Sequence, residues 1–116
     1  MQKFRNKNNT KIGILGGTFD PPHKGHLYIS KIALKKIKLD FVVWLVTKQN
    51  PLKDKPSLNI KTRIKLSKKI VKSSKKIKIK YLDKVVRSKK TYDLLYYLKK
   101  NNKNSKFFFI MGADNL

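Results

Sequence analysis

Cysteine and glutamate are absent from this 116-residue chain, and histidine occurs only twice. Without cysteine there is no disulfide framework, no thiolate zinc site and no thiol redox chemistry, and two histidines do not by themselves make a structural metal centre. Long hydrophobic runs are lacking too. The most apolar stretches, FVVWLV (Phe41 to Val46) and FFFIM (Phe107 to Met111), fall far short of the roughly 20 residues that span a bilayer. The basic start, Met1 to Lys11, is not followed by the apolar core of a secretion signal. The expectation is a soluble, cytoplasmic protein with no membrane partner. Negative charge is equally scarce: 6 Asp+Glu stand against 30 Lys+Arg, a formal net charge of +24, and such an imbalance opposes collapse when hydrophobicity is low. What is present answers this. The chain is 40% hydrophobic, and its apolar residues cluster into short β-branched and aromatic runs, as in strands buried on both faces. The length suits one α/β domain.

A chain this positive attracts polyanions, because each phosphate neutralised releases counterions, so nonspecific nucleic-acid binding is one expectation. The excess, however, is almost all lysine, spread along the whole chain and placed between the apolar positions of expected helices, as at Lys35, Lys36, Lys65, Lys68 and Lys69. Base-reading modules instead cluster arginine with aromatics on one element. A solvated basic face is the favoured reading.

Along the chain, residues 1 to 10 read as a basic, flexible leader, and residues 11 to 116 as the domain. KIGILGG, from Lys11, is a first strand ending in glycines, and TFDPPHKGH is turn chemistry before a helix that begins near Lys24 and runs to about Lys38. Ile29, Ile32, Ala33 and Ile37 recur at helical spacing on its inward stripe. Phe41 to Val46 is the second strand, and TKQNPLKDKPS an exposed loop. Asn59 caps a helix that turns Ile60, Ile64, Ser67 and Val71 inward. The alternation of Ile77 to Leu82 marks a half-buried strand near the sheet edge. After a loop, Asp83 to Lys90, Thr91 caps a helix with Leu94, Leu95 and Leu98 as its buried stripe, and KNNKNS ends it before the last strand, Phe107 to Met111.

The order βαβαβαβ implies a Rossmann-like, doubly wound parallel sheet with right-handed crossovers. Ligands in such sheets bind outside the carboxyl ends of the strands, so Gly16, His26, Asn50 and Gly112 should converge on one edge. Residues from Gly112 to Leu116 read as the entry to another helix, and the fold as far as the chain runs is expected to lack its C-terminal part.

Neither GxGxxG nor GxxxxGK[ST] occurs. The first loop nevertheless places Gly16 and Gly17 at a strand end and His23-Lys24-Gly25-His26 at a helix start. Glycines admit phosphate to the backbone, a helix start offers unpaired N–H groups and a positive dipole, and imidazoles can donate to phosphoryl oxygens. Two plainer readings stand beside this: Gly16 and Gly17 merely permit a tight turn, and His26 packs as a satisfied polar group. A metal held by His23 and His26 is the weakest reading, since no third ligand stands at a recognisable spacing.

GGTFDPPHKGHL, Gly16 to Leu27, resembles the signature of the nucleotidylyltransferase superfamily, and within it the bacterial nicotinate-nucleotide adenylyltransferases. WLVTKQNPLKD (Trp44 to Asp54), KKTYDLL (Lys89 to Leu95) and FIMGADNL (Phe109 to Leu116) resemble further motifs of that family in the same order. The resemblance implies transfer of AMP from ATP to nicotinate mononucleotide, giving deamido-NAD and pyrophosphate, with Mg²⁺ bound to the ATP. It implies that His23 and His26 contact ATP phosphates, and that Gly16, Gly17, Thr18, Phe19 and Gly25 shape the nucleotide pocket. Gly112, Ala113 and Asp114 would border adenosine, and Asn50, Lys53 and Thr91 would face the nicotinate nucleotide. The family usually has Tyr where this chain has Lys90. It also continues past the position of Leu116 with an aromatic segment, further strands and an Arg-bearing phosphate motif. The expectation is therefore an N-terminal portion with weakened activity and an uncovered sheet edge open to homo-oligomers. The alternatives are another small adenylyltransferase, such as the phosphopantetheine type, and a non-catalytic basic nucleic-acid-binding module.

Overall fold

Two strands with apolar residues on both faces pair side by side at the centre of a parallel sheet. In the computed structural model, which describes residues 10–47, 57–81 and 91–110, the order is β1 (Thr10–Gly17), α1 (Lys24–Lys36), β2 (Phe41–Val46), α2 (Ile60–Ile70), β3 (Ile77–Lys80), α3 (Thr91–Asn101) and β4 (Ser105–Ile110). The strands lie in the order β3-β2-β1-β4, and all three pairings are parallel. This is the Rossmann-like sheet expected; of the expected strand Ile77 to Leu82, Ile77–Lys80 is strand at the edge of the described sheet, Tyr81 is not, and Leu82 lies outside the described residues. None of the described helices is long and apolar enough to cross a membrane.

Reversal of strand order after β3 places the helices on opposite faces, because right-handed crossovers travelling in opposite directions pack on opposite sides. On one face Leu15, Val42, Trp44, Val46 and Ile77 pack with Ala33 of α1 and with Ile60 and Ile64 of α2. On the other, Ile12, Ile14, Val43 and Leu45 receive Leu98 of α3. Gly13 marks the tightest approach in the sheet. A Cβ there would stand 2.7 Å from Leu39 Cδ1 and 2.8 Å from Ile110 Cδ1.

Several boundaries and faces differ from the sequence expectation. β1 begins at Thr10, which is buried and in register with Ser105. Helix α1 ends at Lys36, with Ile37 as C-cap and Lys38 at φ 57°. Its inward positions are Ser30 and Ala33, whereas Ile32 and Ile37 are exposed. Periodicity alone cannot see that a polar Ser30 has a buried partner on β2. The last strand starts at Ser105, not Phe107, and is not buried on both faces, since Phe109 is 48% exposed. β4 lies at the edge of the described sheet, so it has a neighbour on one side only.

Asn59 caps α2 as expected, its side chain accepting from Thr62 N–H at 2.8 Å. Thr91 is the first residue of α3 rather than a residue before it. Leu98 is fully buried, while the side chains of Leu94 and Leu95, and the loop Asp83 to Lys90, lie outside the described residues. Lys35, Lys36, Lys65, Lys68 and Lys69 are all exposed, which agrees with the solvated basic face.

Candidate functional site: an imidazole pair at the sheet's carboxyl edge

The strand order reverses at β1, whose two neighbours β2 and β4 are entered from opposite directions along the chain. A crevice opens at such a switch point, outside the carboxyl ends. Gly17 is in register with Val46, and Leu15 with Ile110, so β1, β2 and β4 end on one edge. The turn leaving β1 there runs Thr18 to Pro22 and delivers His23 to the start of α1.

Gly16 and Gly17 are the last residues of β1, and no described glycine has a positive φ. The tight-turn reading of this pair is therefore corrected: both are extended strand residues. The residue that turns the chain is Phe19, at φ 54°. A bulky side chain there costs on the order of 1–3 kcal/mol and persists only where surrounding structure enforces it. The enforcement is visible. Phe19 is buried, its ring stacked on Trp44 at 5.1 Å between centroids and 14° between planes, with the His26 ring tilted against it at 4.7 Å.

The two imidazoles close the helix start reciprocally. His23 Nδ1 accepts from Gly25 N–H at 3.0 Å, and His26 Nδ1 accepts from His23 N–H at 3.1 Å. This is a capping box built from two histidines; such boxes usually use Ser or Thr with Glu or Gln. With both Nδ1 atoms acting as acceptors, the hydrogen of each neutral ring is assigned to Nε2. Both side chains thus become Nε2–H donors, their rings 3.9 Å apart, at a helix N-terminus with no acidic residue in its first turn. Phosphate is the anion such a site suits best.

Gly25 is required by His23. A Cβ at this position would stand 2.7 Å from His23 Cε1 and 2.8 Å from His23 Nδ1, inside any tolerable contact. Gly25→Ala is expected to expel the His23 ring, leave Gly25 N–H without its acceptor and cost about 1 kcal/mol, the usual value of a cap. Urea unfolding measures that loss. An unchanged midpoint together with an unchanged His23 imidazole NMR signal would show that the ring adapts in place.

Sequence reasoning missed two anchors of this turn. Asp20 accepts from Ser57 N–H through Oδ2 at 2.6 Å and from Leu58 N–H through Oδ1 at 2.9 Å. Arg63, only 2% exposed on α2, donates through Nε to Leu58 O at 3.0 Å and through Nη1 to Thr18 O at 2.7 Å and Thr47 O at 2.8 Å. Thr18 and Thr47 are the first residues past β1 and β2, and Thr47 N–H donates to Gly17 O at 2.8 Å. One guanidinium therefore ties two strand ends to the approach of α2, which only a planar fork of donors can do. A signal existed: Arg63, Ser67 and Val71 follow one another at i, i+4, i+8.

Of the sequence-predicted site residues, Gly16, Gly17, Thr18, Phe19, His23, Gly25 and His26 come together in this turn. Asn50, Lys53, Gly112, Ala113 and Asp114 lie outside the described residues, and so does the side chain of Thr91. Val46 and Ile110, the last residues of β2 and β4, end at the same edge as Gly17. Among the described residues no group of three His, Asp, Glu or Cys could hold a metal ion, and the turn's own carboxylate, Asp20, has both oxygens engaged by backbone N–H groups.

The chain is thus an α/β protein whose parallel sheet presents a histidine-capped helix start at its switch point, an arrangement suited to an anion. The chain belongs to the cytidylyltransferase-like family, whose model matches residues 14–116. It is 54% identical over 113 residues to a Pelagibacter ubique protein named "Probable nicotinate-nucleotide adenylyltransferase", covering 96% of this chain and 61% of that one. It is 42% identical over 106 residues to a Bradyrhizobium protein of the same name, covering 91% and 55%. The structure of Plasmodium falciparum nicotinic acid mononucleotide adenylyltransferase complexed with APC superimposes with a TM-score of 0.73 at 25% identity, over 91% of this chain and 52% of that one. The chain thus spans about 61% of the length of the first of these relatives.

Proposed function

We propose that this chain carries the phosphate-handling part of an enzyme that transfers AMP from ATP to nicotinate mononucleotide, releasing pyrophosphate and forming deamido-NAD. The observation that carries the reading is the pair of imidazoles, each accepting a backbone N–H through Nδ1, at the carboxyl edge of the sheet. The names of the relatives supply the substrates.

In this reading the phosphate monoester oxygen of nicotinate mononucleotide attacks the α-phosphorus of ATP. The bond from that phosphorus to the oxygen bridging to the β-phosphate breaks, and its electrons leave with pyrophosphate. A phosphate monoester, with a second pKa of about 6, is already largely dianionic near neutral pH, so no protein nucleophile or strong base is needed. Catalysis reduces to alignment and to stabilising charge on the phosphoryl oxygens. His23 and His26 donate through Nε2–H to those oxygens, with Gly16, Gly17, Thr18, Phe19 and Gly25 shaping the pocket. Gly112, Ala113 and Asp114 border adenosine, and Asn50, Lys53 and Thr91 face the acceptor. The described residues do not fit a protein-held metal site, and Mg²⁺ would arrive on the ATP phosphates, as is usual for that ion.

The test is an assay of the chain, and of the longer protein its relatives suggest, for pyrophosphate and deamido-NAD with ATP, Mg²⁺ and nicotinate mononucleotide. Product is expected with that acceptor and not with phosphopantetheine. The reverse preference would favour the other adenylyltransferase. Salt-sensitive binding of nucleic acid with no response to ATP would favour the basic binding module.

A further inference from the structure

Beneath the imidazole pair lies a buried polar relay that the proposed chemistry does not itself use. Trp44, fully buried in the central strand β2, donates its indole N–H to Ser30 Oγ at 2.8 Å. Ser30, also fully buried, donates its hydroxyl to the carbonyl oxygen of His26 at 2.8 Å, one helical turn back. The same indole supports the Phe19 ring, Phe19 supports the His26 ring, and His26 meets Trp44 edge-on at 5.7 Å. Indole, hydroxyl and phenyl together thus reach both the backbone and the side chain of one residue.

A buried indole N–H needs an acceptor, and Ser30 supplies it while its own hydrogen back-bonds to the carbonyl of His26, a contact that slightly weakens a helix and adjusts its local geometry. That carbonyl belongs to the residue whose Nδ1 closes the capping box, so a shift in the first turn of α1 is a shift of the imidazole.

We infer that Ser30 and Trp44 are positioning residues for His26, fixing its Nε2–H tautomer and its direction through the relay and through the Phe19 ring. The functional consequence rests on the proposed role of His26 at phosphate; the geometric one does not.

The chain has two histidines and one tryptophan, so the imidazole nitrogens give two assignable NMR systems, distinguished with His23→Gln. In the unmodified chain His26 is expected to show a single Nε2–H tautomer. Ser30→Ala should convert it to a mixture and lower turnover about tenfold to a hundredfold, the range for a small misplacement of a reacting group, with the KM for ATP within about twofold. Ser30→Thr, which keeps the hydroxyl, should retain the tautomer. Ser30→Ala combined with Trp44→Phe removes both hydrogen-bonding partners and should recover thermal stability without recovering turnover. A purely structural role would instead restore both. An unaltered His26 tautomer in folded Ser30→Ala, or in the double variant should the single one fail to fold, overturns the inference. A changed tautomer in a protein that shows no adenylyl transfer would uphold the relay and overturn the proposed function.

Discussion

For the adenylyl transfer proposed above, His26→Ala in a catalytically competent, full-length form should lower turnover by about 10² to 10³, the loss expected when one charge-stabilising donor is removed from a transition state. His26 holds both a chemical and a local structural position, and the two can be told apart. Its ring accepts from His23 N–H and covers Phe19, so the alanine variant also loses part of a cap worth about 1 kcal/mol. A loss of that size leaves most molecules folded in a domain of ordinary stability. Turnover per folded molecule, with thermal unfolding measured beside it, therefore isolates the donor. Retention of more than a third of the turnover would assign His26 to packing.

Arg63→Met should destabilise the fold by about 3 to 5 kcal/mol, because three carbonyls lose hydrogen bonds from one buried charged group. Methionine roughly fills the space of the stem but leaves the carbonyls of Leu58, Thr18 and Thr47 without the guanidinium donors they now have. Hydrogen bonds to a charged group contribute about 1.5 to 3 kcal/mol each and do not simply add, which is why the expected total is below their sum. Arg63→Lys keeps the charge but offers one ammonium to three separated oxygens, so about half of the loss should persist. Urea unfolding with an unchanged slope measures both. A shift below about 1 kcal/mol for Arg63→Met would mean that water replaces the guanidinium at these carbonyls.

Much of the architecture was legible in local patterns. Continuous β-branched and aromatic residues marked Phe41 to Val46 as a strand buried on both faces, and Asn59 marked the start of α2. The GGTFDPPHKGHL string located a strand end, a turn and a helix start, and those three features alone brought His23 and His26 to the N-terminus of α1. These are properties of neighbours within a few residues, where backbone preference, capping and periodicity act without reference to the rest of the chain.

What the amino-acid sequence by itself determined, then, was the succession of elements and the place of the imidazoles along it. The tertiary structure decided which polar residues are enclosed and what they hold. Ser30 reads as a break in an apolar stripe until the indole of Trp44, 14 residues away, stands opposite it. Arg63 reads as one more basic residue among lysines until the ends of two strands present their carbonyls to it, the farther one 45 residues away. Phe19 tolerates its positive φ only because Trp44 and His26 enclose its ring. In each case a buried polar or strained group is stable only when its partner arrives from another element. Such partners are set by sheet order and register, and local periodicity does not encode them.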